Sequence, residues 1–137
     1  MFVSECNIRV RYSETDQMGY VYYGNYAQYF EVARTEALRQ VDLTYKMFED
    51  AGTMMPVLSL SCKFKKPAKY DDLLTIKTII RVLPSVKMAF EYEVYNEAGE
   101  LLNEGETVLV FINMKNNRPT ACPPNLLEKL KPFFEQE

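Results

Sequence analysis

The chain has 137 residues, 47% of them apolar, which suffices to bury one ordinary hydrophobic core, so a single domain over residues 1–137 is expected. A net charge of −3 with its basic residues spread out argues against a broad nucleic-acid surface and leaves any anionic ligand dependent on a local basic cluster. With no histidine at all, the chain cannot by itself form a Ser-His-Asp triad, a Cys-His pair, a His-based zinc site or a His general base, so its chemistry must use carboxylates, tyrosines, lysines or backbone amides.

The first segment alternates, with Cys6, Ile8, Val10 and Tyr12 on one side and Glu5, Asn7, Arg9 and Arg11 on the other, which predicts a strand with one wet face. Residues 25–41 then run at helical period: Tyr26, Phe30, Ala33, Ala37 and Val41 form a stripe, opposite Gln28, Glu31, Thr35 and Arg39. A shorter helix is expected around 43–51, ending near Gly52. Alternation returns with Leu58, Leu60, Cys62 and Phe64, and Pro67 stops it. Two further strands cover 74–82 and 88–94, separated by Pro84 and Ser85. "NEAG" at 96–99 is a hairpin turn, and a fifth strand follows over 100–113 with Gly105 as a bulge candidate. "PPN" at 123–125 opens a last short helix through Phe133, with Asn125 as its cap. The order is strand, long helix, then four strands with hairpin-length connections, which predicts an α+β fold with an antiparallel sheet. One helix cannot cover both faces of five strands, so a homo-oligomer is expected.

No apolar run approaches the roughly 18 residues of a membrane span, and Glu5 and Arg9 interrupt the start where a signal peptide needs its apolar stretch. No membrane insertion and a cytoplasmic location are expected. Cys6, Cys62 and Cys122 are odd in number, widely spaced and without CxxC, so they read as reduced thiols and no metal site is expected. The five glycines fit neither GxGxxG nor GxxxxGK[ST].

The stretch "SETDQMGYVYYGNYAQYF", Ser13 to Phe30, sets the acid Asp16 ahead of Gly19, Gly24 and five tyrosines where the long helix begins. A helix starting near Tyr23 leaves amide N–H groups unpaired, and these favour a developing negative charge, as in an oxyanion hole. An Asp in such a loop also commonly serves as an Asx turn or N-cap, and tyrosines at helical spacing commonly belong to a core or subunit interface.

"RYSETDQMGYVYYGNYAQYFEVAR" resembles the signature of hotdog-fold acyl-CoA thioesterases of the 4-hydroxybenzoyl-CoA thioesterase family: an acid, a glycine shortly after, an aromatic pair, then Asn-Tyr on the central helix. "KKPAKYDDLLTI" at 65–76 is similar to that family's third-strand entry. The resemblance implies a five-stranded antiparallel sheet wrapped around one long helix, a homodimer assembling to a homotetramer, and hydrolysis of an acyl- or aryl-CoA, or of an acyl-carrier-protein thioester, without a cofactor beyond the coenzyme A of the substrate. It implies Asp16 as the catalytic carboxylate, Tyr23 as the residue whose backbone N–H polarises the thioester carbonyl, Asn25 and Tyr26 as the residues opening the helix, and Tyr12 as a tyrosine near the acid. One branch of the family has histidine where this chain has Tyr23, which leaves a carboxylate and an amide as the machinery here.

A thioester suits such machinery, because its thiol leaving group has a pKa near about 8.5 and needs no strong general acid. Asp16 could attack the carbonyl to give a mixed anhydride or deprotonate water, with Glu14 and Glu31 as second carboxylates if not simply solvated acids. Lys63, Lys65, Lys66 and Lys69 form the one basic cluster, suited to coenzyme A phosphates or to guarding a strand edge, and strand alternation places Lys63 and Lys65 on one face. Arg81, Lys87 and Arg118 are weaker candidates. Gly24 permits close backbone approach, and Tyr20, Tyr22, Tyr23, Tyr26 and Tyr29, with Met18, Met54 and Met55, are candidates for an acyl pocket, Tyr26 doubling as core. Cys62 lacks a histidine to activate it. The competing readings are a non-catalytic acyl-CoA or acyl-carrier-protein binding protein of the same fold and, last, a dehydratase, which needs the histidine this chain lacks.

Overall fold

The computed structural model describes residues 1–135. Strands β1 (Phe2–Arg9), β3 (Val57–Phe64), β4 (Leu73–Ile80), β5 (Lys87–Tyr95) and β6 (Leu101–Val110) form one antiparallel sheet in the order β1-β4-β5-β6-β3. The long helix α1 (Tyr26–Arg39) packs against it, confirming an α+β architecture. Its apolar stripe is buried from Tyr26 through Phe30 and Ala33 to Ala37, with Tyr29, Arg34 and Leu38 widening it, and Val41, expected to end the helix but lying past its last residue, Arg39, joins the same core. Helix α2 (Tyr45–Asp50) is capped by Thr44, whose hydroxyl accepts from the Met47 N–H at 3.2 Å. No helix among the described residues is long and apolar enough to cross a membrane.

Several local expectations are corrected. The apolar side of the first segment does not continue to Tyr12, because β1 ends at Arg9 and the chain turns through a 3-10 turn over Tyr12–Glu14. The fifth strand stops at Val110, and its continuation β7 (Ile112–Asn113) leaves the main sheet to pair with β2 (Thr53–Met54) and β8 (Arg118–Pro119). These two-residue strands are too short to leave a periodic signal. Helix α3 (Pro124–Phe134) has Pro123 at its cap position, so Asn125 lies inside the first turn.

Gly105 is not a bulge. It sits in unbroken register between Cys62 and Tyr92, while the sheet's irregularities fall at 57/59 and 94/95. A Cβ at Gly105 would overlap the ring of Phe30, which is stacked on Tyr92 at 4.2 Å. The glycine lets the helix sit down on the sheet.

Strand β3 has the predicted alternation but not the predicted burial. It is the sheet's edge beyond β6, and Leu58 and Phe64 are 55% and 56% exposed. α1 does not reach across it: Gln40 Nε2 donates to the Glu5 carbonyl, which ties the helix toward β1 at the far edge.

Candidate active site

The loop between β1 and α1 is held by a buried carboxylate where local sequence alone suggests a solvated acid. Glu14 is 5% exposed. Its side chain accepts from the Arg11 backbone N–H at 2.8 Å, from Arg11 Nη2 at 2.9 Å and from the Tyr29 hydroxyl at 3.0 Å, and its own carbonyl accepts from Asn25 Nδ2 at 2.8 Å and the Tyr22 N–H at 2.9 Å. Burial pushes the Glu14 carboxyl up, but Arg11 and the two neutral donors outweigh it and hold it below the usual range. Glu31, by contrast, is exposed on α1.

A carboxyl depressed by folding contributes stability above its unfolded pKa, about 4.3, and loses it as pH falls through the depressed folded value. Glu14→Gln is therefore expected to destabilise the protein by about 1–3 kcal/mol at neutral pH. Urea titrations across a pH series should show the gap between variant and wild type closing as acid protonates the wild-type carboxyl.

With Glu14 fixing both ends, the intervening chain folds back on itself. Thr15 bridges Val21, and the Asp16 N–H donates to the Tyr20 carbonyl at 2.8 Å. Gly19, at φ +80°, closes the turn onto the Asp16 carbonyl. Asp16 Oδ1 accepts from the N–H groups of Met18 at 2.9 Å and Tyr20 at 3.2 Å, so the Asx turn is present. Among the described residues no donor reaches Oδ2. The half-buried carboxylate thus has one oxygen committed to the loop and one available.

A 3-10 turn over Tyr23–Asn25 leads into α1. The Asn25 N–H donates to the Tyr22 carbonyl and that of Tyr26 to the Tyr23 carbonyl, while among the described residues the N–H groups of Tyr23 and Gly24 have no intrachain acceptor. A Cβ on Gly24 would come within 2.7 Å of the Tyr22 ring, so glycine lets that ring lie over the turn.

Asp16, Tyr23 and Tyr26 line one cleft of about 350 Å3, together with Met18, Tyr20 and Lys65. Val21, Phe64, Lys66 and Pro67 complete its wall. Tyr26 belongs to cleft and core alike, and burial pushes its phenol up to about 12, leaving a neutral hydroxyl at the wall. Phe64 meets Tyr26 edge-on at 5.6 Å; it was readable as an apolar strand position, but its place in the cleft depends on how β3 ends.

Other candidates lie elsewhere. Tyr12 is 76% exposed and packs edge-on against Tyr70 rather than lining the cleft. Asn25 acts through its bond to the Glu14 carbonyl, Tyr29 through its bond to the Glu14 carboxylate, and neither Tyr22, Met54 nor Met55 lines the cleft. Lys63 and Lys65 do not share a site. The N–H groups of Lys65 and Lys66 both donate to the Leu102 carbonyl, at 2.9 and 3.1 Å, which breaks the alternation where β3 ends. Lys65 borders the cleft, whereas Lys63 pairs in register with Glu104 and lines a hollow containing Glu91, Glu93 and Glu106. Lys66 forms an ion pair with Glu100, and Arg81 one with Glu91. Lys87 and Arg118 are exposed on strands β5 and β8, outside the cleft. Cys62 faces Asn103, and burial pushes its thiol up despite the amide's opposing hydrogen bond, the wrong direction for a nucleophile.

Residues 10–130 match the model of the thioesterase-like superfamily. A putative acyl-CoA thioesterase of Bacillus subtilis, YneP, is 34% identical over 119 residues, covering 87% of this chain and 86% of that protein. The acyl-CoA thioester hydrolase YbgC of Escherichia coli is 30% identical over 124 residues, covering 90% of this chain and 92% of its own. Among solved structures, a DHNA-CoA thioesterase from Staphylococcus aureus superposes with a TM-score of 0.85 at 33% identity, covering 99% of this chain and 88% of that one. The five-stranded sheet with its packed helix and the match over nearly the whole chain agree, and the protein belongs to the thioesterase-like superfamily as a hotdog-type thioester hydrolase.

Proposed function

We propose that the chain, acting as one domain over residues 1–137 in the cytoplasm, hydrolyses acyl- or aryl-CoA thioesters to the free acid and coenzyme A. The observation that carries this reading is the cleft itself: Asp16, a carboxylate with one available oxygen, Tyr23, whose N–H has no intrachain acceptor among the described residues, and an aromatic wall border one space. The N–H of Tyr23 receives the thioester oxygen as it becomes an oxyanion. Asp16 either attacks the carbonyl carbon, expelling the coenzyme A thiolate and leaving a mixed anhydride for water to cleave, or takes a proton from the attacking water. The thiolate leaves without a general acid, and no cofactor is needed. Relatives named as acyl-CoA thioesterases support the substrate class.

The acyl group lies against Met18, Tyr20, Tyr26 and Phe64, and Lys65 at the border meets a coenzyme A phosphate. Lys63 has no part in this arrangement. The protein works as a homodimer, with dimers assembling to a homotetramer. The β3 edge supports the dimer, because its exposed apolar residues need covering and Phe64 belongs to that edge and to the cleft, so a second copy there closes the cleft's open side.

The test is thiol release from short, medium, long and aromatic acyl-CoAs, followed with a chromogenic disulfide. Turnover of at least one series is expected, and saturable binding without thiol release would replace the reading with a non-catalytic acyl-CoA or acyl-carrier-protein binding role. In the same assay Lys65→Ala should raise KM about 3–10-fold with kcat little changed, the size expected for one partly exposed charged contact.

A further inference from the structure

Arg34 is the least explained residue in the fold. Only 8% exposed, it lies on the long helix with its Nε lacking any hydrogen-bond acceptor, beside the buried hydroxyl of Tyr45. The titratable groups facing Arg34 are Tyr45 and Tyr92, with no carboxylate among them. Tyr92 is already committed, its hydroxyl 2.6 Å from Thr107 Oγ1. A guanidinium removed from water needs an acceptor to offset its desolvation, and neutral phenols do not neutralise its charge.

Position on the helix shows where that acceptor comes from. Glu36 and Gln40 mark the flank facing β1, since Gln40 Nε2 donates to the Glu5 carbonyl and Glu36 acts on the Cys6 thiol. At 100° per residue, Glu31 and Arg34 lie on the opposite flank, which turns toward α2 and the β6-β3 side of the sheet. There Thr107 stands in register with Leu60 of β3, 46% exposed. The guanidinium, its Nε still without an acceptor and its charge met only by phenols, therefore borders the uncovered edge. On the same flank, one turn earlier, Glu31 is exposed and forms no ion pair among the described residues.

We infer that Arg34 is an anchor between protomers, its guanidinium completed by Glu31 of the partner subunit, while Glu31 in turn reaches the partner's Arg34. A two-fold axis makes every contact occur twice, and an acid and a base one turn apart on one flank complement themselves when two such helices run antiparallel. The exposed apolar β3 edge supplies the area to bury and the charges fix the register. This rests on the homodimer reading above but not on the reaction assigned to the cleft.

The experiment uses Glu31→Arg and Arg34→Glu in the full chain, alone and mixed, with dissociation constants from sedimentation velocity and heterodimer content from native mass spectrometry. Each variant alone places like charges opposite one another and is expected to self-associate at least about ten-fold more weakly than wild type. Mixed at equal amounts, the two form heterodimers in which both pairs are restored, in excess of the statistical half, which a pair within one chain would not produce. Wild-type association by both variants, a statistical mixture, or a monomeric wild type at all concentrations would overturn the inference. If Arg34→Glu does not fold, the exposed Glu31→Arg decides alone: weakened association supports the anchor and unchanged association overturns it. Thiol release by wild type is measured separately, so loss of the proposed reaction and loss of the interface are distinct results.

Discussion

Replacing Asp16 with asparagine is expected to lower kcat by about 10²–10⁴-fold, the range over which a positioned proton-transfer group acts. The amide keeps an oxygen at the Oδ1 position, where it can still accept from Met18 and Tyr20, so the Asx turn that shapes the loop persists. What disappears is the negative charge and the second basic oxygen facing the cleft. Asp16→Ala removes the turn's acceptor as well and is expected to lose activity to the same extent or more. The measurement is thiol release at saturating acyl-CoA beside circular dichroism and urea unfolding. Undiminished turnover by folded Asp16→Asn would remove Asp16 from the mechanism, and the cleft's chemistry would then fall to the amides and a bound water.

The largest expected loss of stability comes from a residue with no chemistry. Gly105→Ala inserts a methyl group where the Phe30 ring already lies, and that ring is fully buried and stacked on Tyr92. The Ser61 carbonyl, 3.2 Å from the new Cβ, blocks the other direction. Overpacking of this kind costs about 1–3 kcal/mol, and Gly105→Val, with two more methyl groups and no room to rotate, should exceed it. Urea titrations read the change as a lower midpoint at similar slope. A midpoint equal to wild type for Gly105→Val would show that α1 can lift off the sheet at little cost. Because Tyr26 on that helix also walls the cleft, partial lifting should appear as raised KM before global unfolding.

Much of this protein was legible in the chain because its signals are local. Alternation in β3, β4 and β5, the stripe from Tyr26 to Val41 and the Asn96–Gly99 turn, where the Gly99 N–H donates to the Asn96 carbonyl at 3.0 Å, all follow from periods and propensities that neighbouring residues set together. Asp16, Gly24 and Tyr23 stood out for the same reason, being close in sequence and adjoining a helix start.

The departures share a different cause. Glu14 looked like a solvated acid until Tyr29, fifteen residues later, was brought over it. Gly105 looked like a bulge because nothing in its own strand announces the Phe30 ring, and Lys63 and Lys65 looked like one patch until two amides converged on the Leu102 carbonyl. What the sequence by itself determined is the run of the longer elements, the absence of imidazole chemistry and the short segment holding the acid and the helix entrance. Only the tertiary structure decided which lysines border the cleft, which acid is a buried staple and which apolar strand is left uncovered, because burial and pairing depend on distant residues meeting, and local periodicity does not encode which of them will meet.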